Sequence, residues 1–282
     1  MDQTASTWKW IFYFENFRML SVYGAGYIGG RYCEMYPNET LIIPREQRNP
    51  ETQEILYFIS TIDNSNIHTD ITLDVKTNLS ILCEVLDHCR SADRVFNFIS
   101  SWFVYGDCEL PAKEDSPCNP RGFYSITKKC AEDLLIDFCR TYKVKYRILR
   151  MPNVVGGYDP KASPKKNAIH YLIGELKKGN DITLYNDGDI IKDIMHVDDV
   201  CRAINRVVNC GEFDTVYNIG SGQRTTLGDI IRTAKHFLNS DSKILTKNAD
   251  TQDMYLDSCK LRALGFKPQI SQTDIVRELC IN

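Results

Sequence analysis

Tyr124-Ser125-Ile126-Thr127-Lys128 sets a phenol and an ammonium one helical turn apart, so both side chains share a face of the helix that carries them. A cation beside a phenol lowers the cost of the tyrosinate. Tyr124 then becomes a useful acid/base near neutral pH, the group an alcohol needs when its carbon gives up or receives a hydride. The same spacing occurs on ordinary helix surfaces, so the pair gains meaning from its surroundings. Phe98-Ile99-Ser100-Ser101 reads as a strand ending in two serines ahead of that helix, and a hydroxyl there can hydrogen-bond the reacting oxygen. Upstream, Gly24-Ala25-Gly26-Tyr27-Ile28-Gly29 is a G-x-G-x-x-G turn that follows a strand and opens a helix. Such a turn lets a pyrophosphate approach the backbone and face the helix N-terminus; the bland alternative is a glycine turn needed only for helix-sheet packing. Together these residues point to hydride transfer between a nicotinamide dinucleotide and a hydroxyl or keto carbon.

The end of the second strand bears on which dinucleotide. An NAD site usually carries Asp or Glu there to accept from the ribose 2'-hydroxyl. Here the strand ends in Ile43-Pro44-Arg45, with Arg48 close by and only Glu46 as a nearby acid. A 2'-phosphate is better tolerated at such an edge, which mildly favours NADP over NAD; the alternative is that both arginines are solvated loop charges.

The elements that must position these residues follow from the apolar pattern. Met19 to Tyr23 reads as a strand, Tyr27 to Tyr36 as a short helix, and Glu39 to Ile43 and Ile55 to Ile59 as buried strands. Asp74 to Cys89 has helical periodicity. Val95 to Ser100 is the next strand, Tyr124 to Tyr142 a long helix with Ala131, Leu134, Leu135 and Phe138 as its apolar stripe, and Tyr146 to Arg150 a strand again. Alternating β and α elements of this length predict an α/β fold, a doubly wound parallel sheet of Rossmann type. Regularity weakens after residue 152, where Gly156-Gly157, Pro160 and Pro164 mark loops and a helix is expected near Asn167 to Lys178. The expected organisation is an N-terminal extension over 1–18, the dinucleotide-binding domain over 19–152, and a smaller, mainly substrate-binding lobe over 153–282.

Composition narrows the function classes. A formal charge of -3 and a pI near 6.0 leave no basic surface for tracking a phosphate backbone, so nucleic acid is not the expected partner. Lys9, Glu15 and Arg18 break any apolar stretch in the first nineteen residues, which carry Trp8, Trp10, Phe12, Tyr13 and Phe14, and the segment reads as neither signal peptide nor membrane span. The eleven cysteines include no C-x-x-C pair, and the five histidines never fall at metal-ligand spacing; reduced thiols, no metal and a cytoplasmic setting are expected.

With these motifs in order, the chain resembles the extended short-chain dehydrogenase/reductase family, the NAD(P)-dependent nucleotide-sugar epimerases, dehydratases and reductases. The resemblance runs from residue 19 to about 270. It rests on the Gly24 turn, Asn78 in its helix, Ser101 four residues before Tyr105, the Tyr124/Lys128 pair and Asn153 after Leu149-Arg150. Lys192-Asp193 and His196-Val197-Asp198-Asp199, Tyr217-Asn218-Ile219-Gly220 and Leu264-Gly265-Phe266 look like its C-terminal landmarks. The resemblance implies Ser101 as proton-relay and orienting hydroxyl, Tyr124 as acid/base, Lys128 as electrostatic and ribose-binding partner, and Asn153 as a contact to a nucleotide-sugar. The cofactor contacts it implies are Gly24, Gly26, Tyr27, Ile28, Gly29, Arg45, Ser60, Asn78, Tyr124 and Lys128, and the substrate contacts Ser101, Trp102, Asn153 and Lys192. Lys192 stands where the family carries an arginine, a point charge in place of a bidentate fork. Trp102 and Phe103 stand where the family's 4,6-dehydratases carry Asp-Glu, which disfavours dehydration; both aromatics read as core, pocket wall or a stacking surface. An epimerase acting at sugar C4 is expected, with a 4-ketoreductase as the alternative and a non-catalytic dinucleotide sensor further behind.

The helices 74–89 and 124–142 carry more apolar residues than one sheet-facing surface needs, among them Ile81, Leu82 and Val85, then Ile126, Leu134, Ile136 and Phe138. A homodimer through those two helices is therefore expected.

Overall fold

The computed structural model describes residues 18–62, 64–157 and 168–281. The expected extension over 1–18, apart from Arg18, and the Pro160 and Pro164 loop lie outside the described residues. In chain order come β1 (Leu20–Tyr23), α1 (Tyr27–Met35), β2 (Thr40–Ile43), β3 (Glu54–Tyr57), a 3-10 turn (Asn64–His68), a π turn (Val75–Ser80), α2 (Ile81–Asp87), β4 (Val95–Ser101), α3 (Phe123–Tyr142) and β5 (Lys145–Met151). They are followed by β6 (Asn153–Val155), α4 (Ala168–Lys177), β7 (Ile182–Tyr185), β8 (Ile191–Lys192), β9 (Ile194–His196), α5 (Val197–Cys210) and β10 (Thr215–Asn218). Then come β11 (Thr225–Thr226), α6 (Leu227–Leu238), β12 (Ile244–Lys247), α7 (Cys259–Ala263) and α8 (Gln272–Ile281).

Six strands form one parallel sheet in the order β10-β5-β4-β3-β1-β2. Alternation along the strands feeds two cores. Leu20, Val22 and Leu56 pack with Tyr32 of α1 and with Val200, Ile204 and Val207 of α5. Tyr23, Ile55 and Tyr57 pack with Leu82 and Val85 of α2 and with Ala131 and Leu135 of α3. Adjacent strand residues thus enter opposite cores, as the period of two requires, and the expected doubly wound sheet is the one observed. A third core unites Ile169 and Ile173 of α4, Ile230 and Ile231 of α6 and Ile275 of α8 in the C-terminal lobe.

Three expectations need correction. β2 is the last strand of the sheet, and its neighbours Leu41 and Ile42, which point to opposite faces, are 37% and 52% exposed. An apolar run does not reveal an edge; the chain passes from β2 to β3 through a short loop and adds no strand beyond. The helix from Asp74 starts as the π turn and becomes α-helical only at Ile81. In α3, Leu134 is exposed, and the buried stripe is Ala131, Leu135 and Cys139. β10, far along the chain, pairs with β5 and completes the main sheet.

Candidate active site

The glycine turn is built for close approach. Gly24 has φ +88°, and a Cβ there would lie 3.0 Å from the Ile59 nitrogen. A Cβ on Gly29 would lie 2.3 Å from the Gly24 carbonyl oxygen, so α1 seats tightly against the strand. A Cβ on Gly26, in contrast, would meet nothing within 4 Å, and no side chain caps the start of α1. Open space before uncapped helix N–H groups suits a pyrophosphate. Tyr27 and Ile28 offer this site only their backbone: the Tyr27 hydroxyl donates to the Gly156 carbonyl, and Ile28 packs on the sheet core. The Gly156-Gly157 loop is further braced by His170, which accepts from the Gly156 N–H at 3.1 Å, and by Glu278, which accepts from the Gly157 N–H at 2.6 Å and lies 2.9 Å from His196.

At the end of β2 the two arginines separate. Arg48 pairs with Glu84 at 2.6 Å and donates to the Arg45 carbonyl, while Arg45 itself is exposed. Ser60 and Asn78 come together, but Asn78 is buried and occupied. Its amide oxygen accepts from Ser60 Oγ at 3.1 Å and the Thr61 N–H at 2.8 Å, and its amide nitrogen donates to Thr61 Oγ1 and Thr127 Oγ1, both at 2.9 Å. Four bonds exhaust a carboxamide. Asn78 therefore braces the segment that follows β3 against α3.

Ser101 ends β4, and Tyr124 and Lys128 lie in the first turns of α3, all three buried. Strand alternation separates the two serines. Ser100 turns away and donates to Glu132 at 2.5 Å, while Ser101 Oγ caps the turn Trp102–Val104. Lys128 Nζ donates to the Ile99 carbonyl at 2.7 Å and stands 4.2 Å from the centre of the Phe98 ring, which ties the helix pair to the serine strand. Burial lowers the Lys128 ammonium to about 7, against the opposing field of Glu132. Glu132 in turn holds Arg150 through paired bonds of 3.1 and 2.7 Å. Sequence reading missed Glu132, although it lies one further turn along the Tyr124/Lys128 face.

Of the residues expected to contact substrate, Trp102 is 4% exposed and stacks on Phe103 with ring centres 3.9 Å apart. Phe103 meets the Tyr124 ring edge-on at 5.7 Å. Lys192 Nζ lies 5.5 Å from the Trp102 ring centre, donates to the Gln252 carbonyl at 3.3 Å, and has its pKa lowered by burial. Asn153 donates to the Asp193 carbonyl through its backbone at 3.0 Å and its side chain at 3.1 Å. Asp193, named from sequence as a landmark without a site role, is almost fully buried. Its carboxylate accepts from the Ser221 N–H and hydroxyl and from the Leu256 N–H. Burial raises it to about 6, against those bonds.

Among the described residues no group of three or more His, Cys, Asp or Glu is arranged to hold a metal ion, and no helix is long and apolar enough to cross a membrane. All eleven cysteines are free thiols.

Residues 47–220 match the model of the NAD dependent epimerase/dehydratase family. A protein of Methanocaldococcus jannaschii carrying the provisional name UDP-glucose 4-epimerase is 28% identical over 236 residues, 81% of this chain and 76% of its own length. Among solved structures, the UDP-glucose 4-epimerase of Thermus thermophilus, in complex with NAD, superposes with a TM-score of 0.80 at 20% identity, covering 93% of this chain and 98% of its own. RMD from Pseudomonas aeruginosa, complexed with NADPH, gives 0.81 at 21%, covering 94% and 98%. At that identity the likeness is one of fold.

Proposed function

We propose that this chain, which belongs to the NAD dependent epimerase/dehydratase family, is a nucleotide-sugar epimerase that works by transient oxidation at the sugar C4. The observation that supports the reading is the Lys128 bond to the Ile99 carbonyl, which ties the helix carrying Tyr124 and Lys128 to the strand that ends in Ser101. A nicotinamide bound beside these residues would take up a hydride and give it back. Tyr124 removes the C4 hydroxyl proton as the hydride leaves that carbon, Ser101 orients the oxygen, and Lys128 favours the tyrosinate. Once the keto sugar has turned within the site, reduction would reach its other face and Tyr124 would restore the proton, so nothing would be consumed.

The Gly26 side of the turn and the start of α1 would hold the diphosphate of the cofactor, NAD or NADP. Asn153 and Lys192 line the nucleotide-sugar side. Trp102 and Phe103 carry no group able to supply the extra acid and base of a dehydratase. A 4-ketoreductase using NADPH is the second reading, supported by the exposed Arg45 at the end of β2. In a panel of nucleotide sugars with each dinucleotide, Tyr124→Phe is expected to lose at least about two orders of magnitude in turnover while still binding dinucleotide. Near-normal turnover in that variant would sink the assignment. Net oxidation of added NADPH by a keto sugar, without epimer formation, would select the reductase.

A further inference from the structure

Immediately after Ser101 the chain turns through Trp102–Val104 and delivers two large aromatic rings beside the reacting group. Phe103 lies edge-on to Tyr124, with ring planes at 87° and centres 5.7 Å apart. Trp102 stacks behind it at 3.9 Å and 22°. The slab is held rigidly, because Trp102 is 4% exposed and packs with Val104, Tyr105, Met254 and Leu256, whereas Phe103 is only half-buried and keeps a free surface. A sugar whose reacting hydroxyl meets Tyr124 and Ser101 brings the substituents of its neighbouring ring carbons within reach of that surface. Lys192, the nearby cation, lies over Trp102 and is bound to the Gln252 carbonyl.

We propose that this aromatic wall selects nucleotide-linked deoxysugars, sugars that present a methyl group where a hexose presents a hydroxymethyl and a uronic acid a carboxylate. The proposal rests on the nucleotide-sugar reading above and narrows its substrate. A methyl group against Phe103 leaves water for an apolar face. A hydroxymethyl in the same place gives up its hydrogen bonds to water and finds no partner on a phenyl ring, and a carboxylate gives up more. Discrimination by one buried group of this kind is worth about ten- to a hundredfold.

The test uses UDP- and dTDP-linked glucose and 6-deoxyglucose, with UDP-glucuronic acid as the charged arm. Binding is measured by calorimetry on cofactor-loaded Tyr124→Phe protein, and turnover on the unaltered protein. The expected result is that a 6-deoxy compound binds about tenfold or more tighter than its hexose and uronate counterparts, and that Phe103→Gln brings the ratio to about one or below. Equal affinities, a preference for the hexose or uronate, or a ratio unchanged in Phe103→Gln overturns the proposal. If Phe103→Gln fails to fold, the ratio in the Tyr124→Phe protein decides alone. A binding preference without any turnover would leave the wall standing and remove the reaction assigned to it. Turnover without preference would do the reverse, and failure to bind any of the sugars overturns both.

Discussion

Lys128 sits in the protein at a cost. Burial takes its pKa from 10.5 down to about 7, while the face of Phe98, the Ile99 carbonyl and the field of Glu132 favour the cation. Between those two values the folded protein holds fewer protons than the unfolded chain, so this group's contribution to stability rises with pH across the window and is lowest below about 7. Lys128→Met is therefore expected to keep or raise the melting temperature at pH 6 while turnover falls by about two orders of magnitude or more. Thermal unfolding and an assay on the same sample check both halves; a large loss of stability at pH 6 would contradict the electrostatic account. Arg45 supports a second prediction. With Arg48 committed to Glu84, Arg45 remains to meet a 2'-phosphate, so NADP is expected to bind at least as well as NAD, and Arg45→Glu to weaken NADP about tenfold or more while sparing NAD. Titration of both dinucleotides against both proteins decides it.

At the scale of elements, the site depends on how firmly the end of β3, the π turn and α3 are held together, and Asn78 holds all three. Asn78→Ala leaves the buried Thr61 N–H without its acceptor, and a loss of about 1–3 kcal/mol in stability is expected. Because Thr127 adjoins Lys128, turnover should fall as well, with little change in dinucleotide affinity; unfolding curves and cofactor titration separate the two effects. What the sequence disclosed here was local. The glycine turn, the Tyr124/Lys128 pair and the strand before Ser101 are written in consecutive residues, and the alternation of strands and helices made the sheet legible. What stayed hidden depends on distant partners. Leu41 and Ile42 look like any buried run until the strand order puts β2 at the edge. Glu132 looks like a surface acid until Arg150 folds against it, and Asp193 until Ser221 and Leu256 close over it.

For the whole molecule, the surface of α3 bears on assembly. Ile126 is 51% and Leu134 40% exposed, two turns apart on one face with half-buried Cys130 between them, beside the exposed Cys83 of α2. Leu82 and Val85 are buried in the core, so the free apolar face is narrower than the sequence suggested. Pairing this face with its two-fold copy would cover it, and a dimer is expected at micromolar concentration, with Leu134→Glu giving a folded monomer. Light scattering that finds 32.4 kDa for the unaltered protein would remove the dimer. The return of β10 to β5 concerns the order in which the molecule is made. Arg147 waits for Thr215 before the sheet is whole, and the intervening chain contains β6 to β9 and α5. During synthesis the first five strands therefore emerge with β5 as an unfinished edge, its hydrogen-bonding groups unpaired. Such an edge invites wrong partners, and a long loop must close before it is covered, so folding is slowed at the point where the nascent chain is most exposed to aggregation.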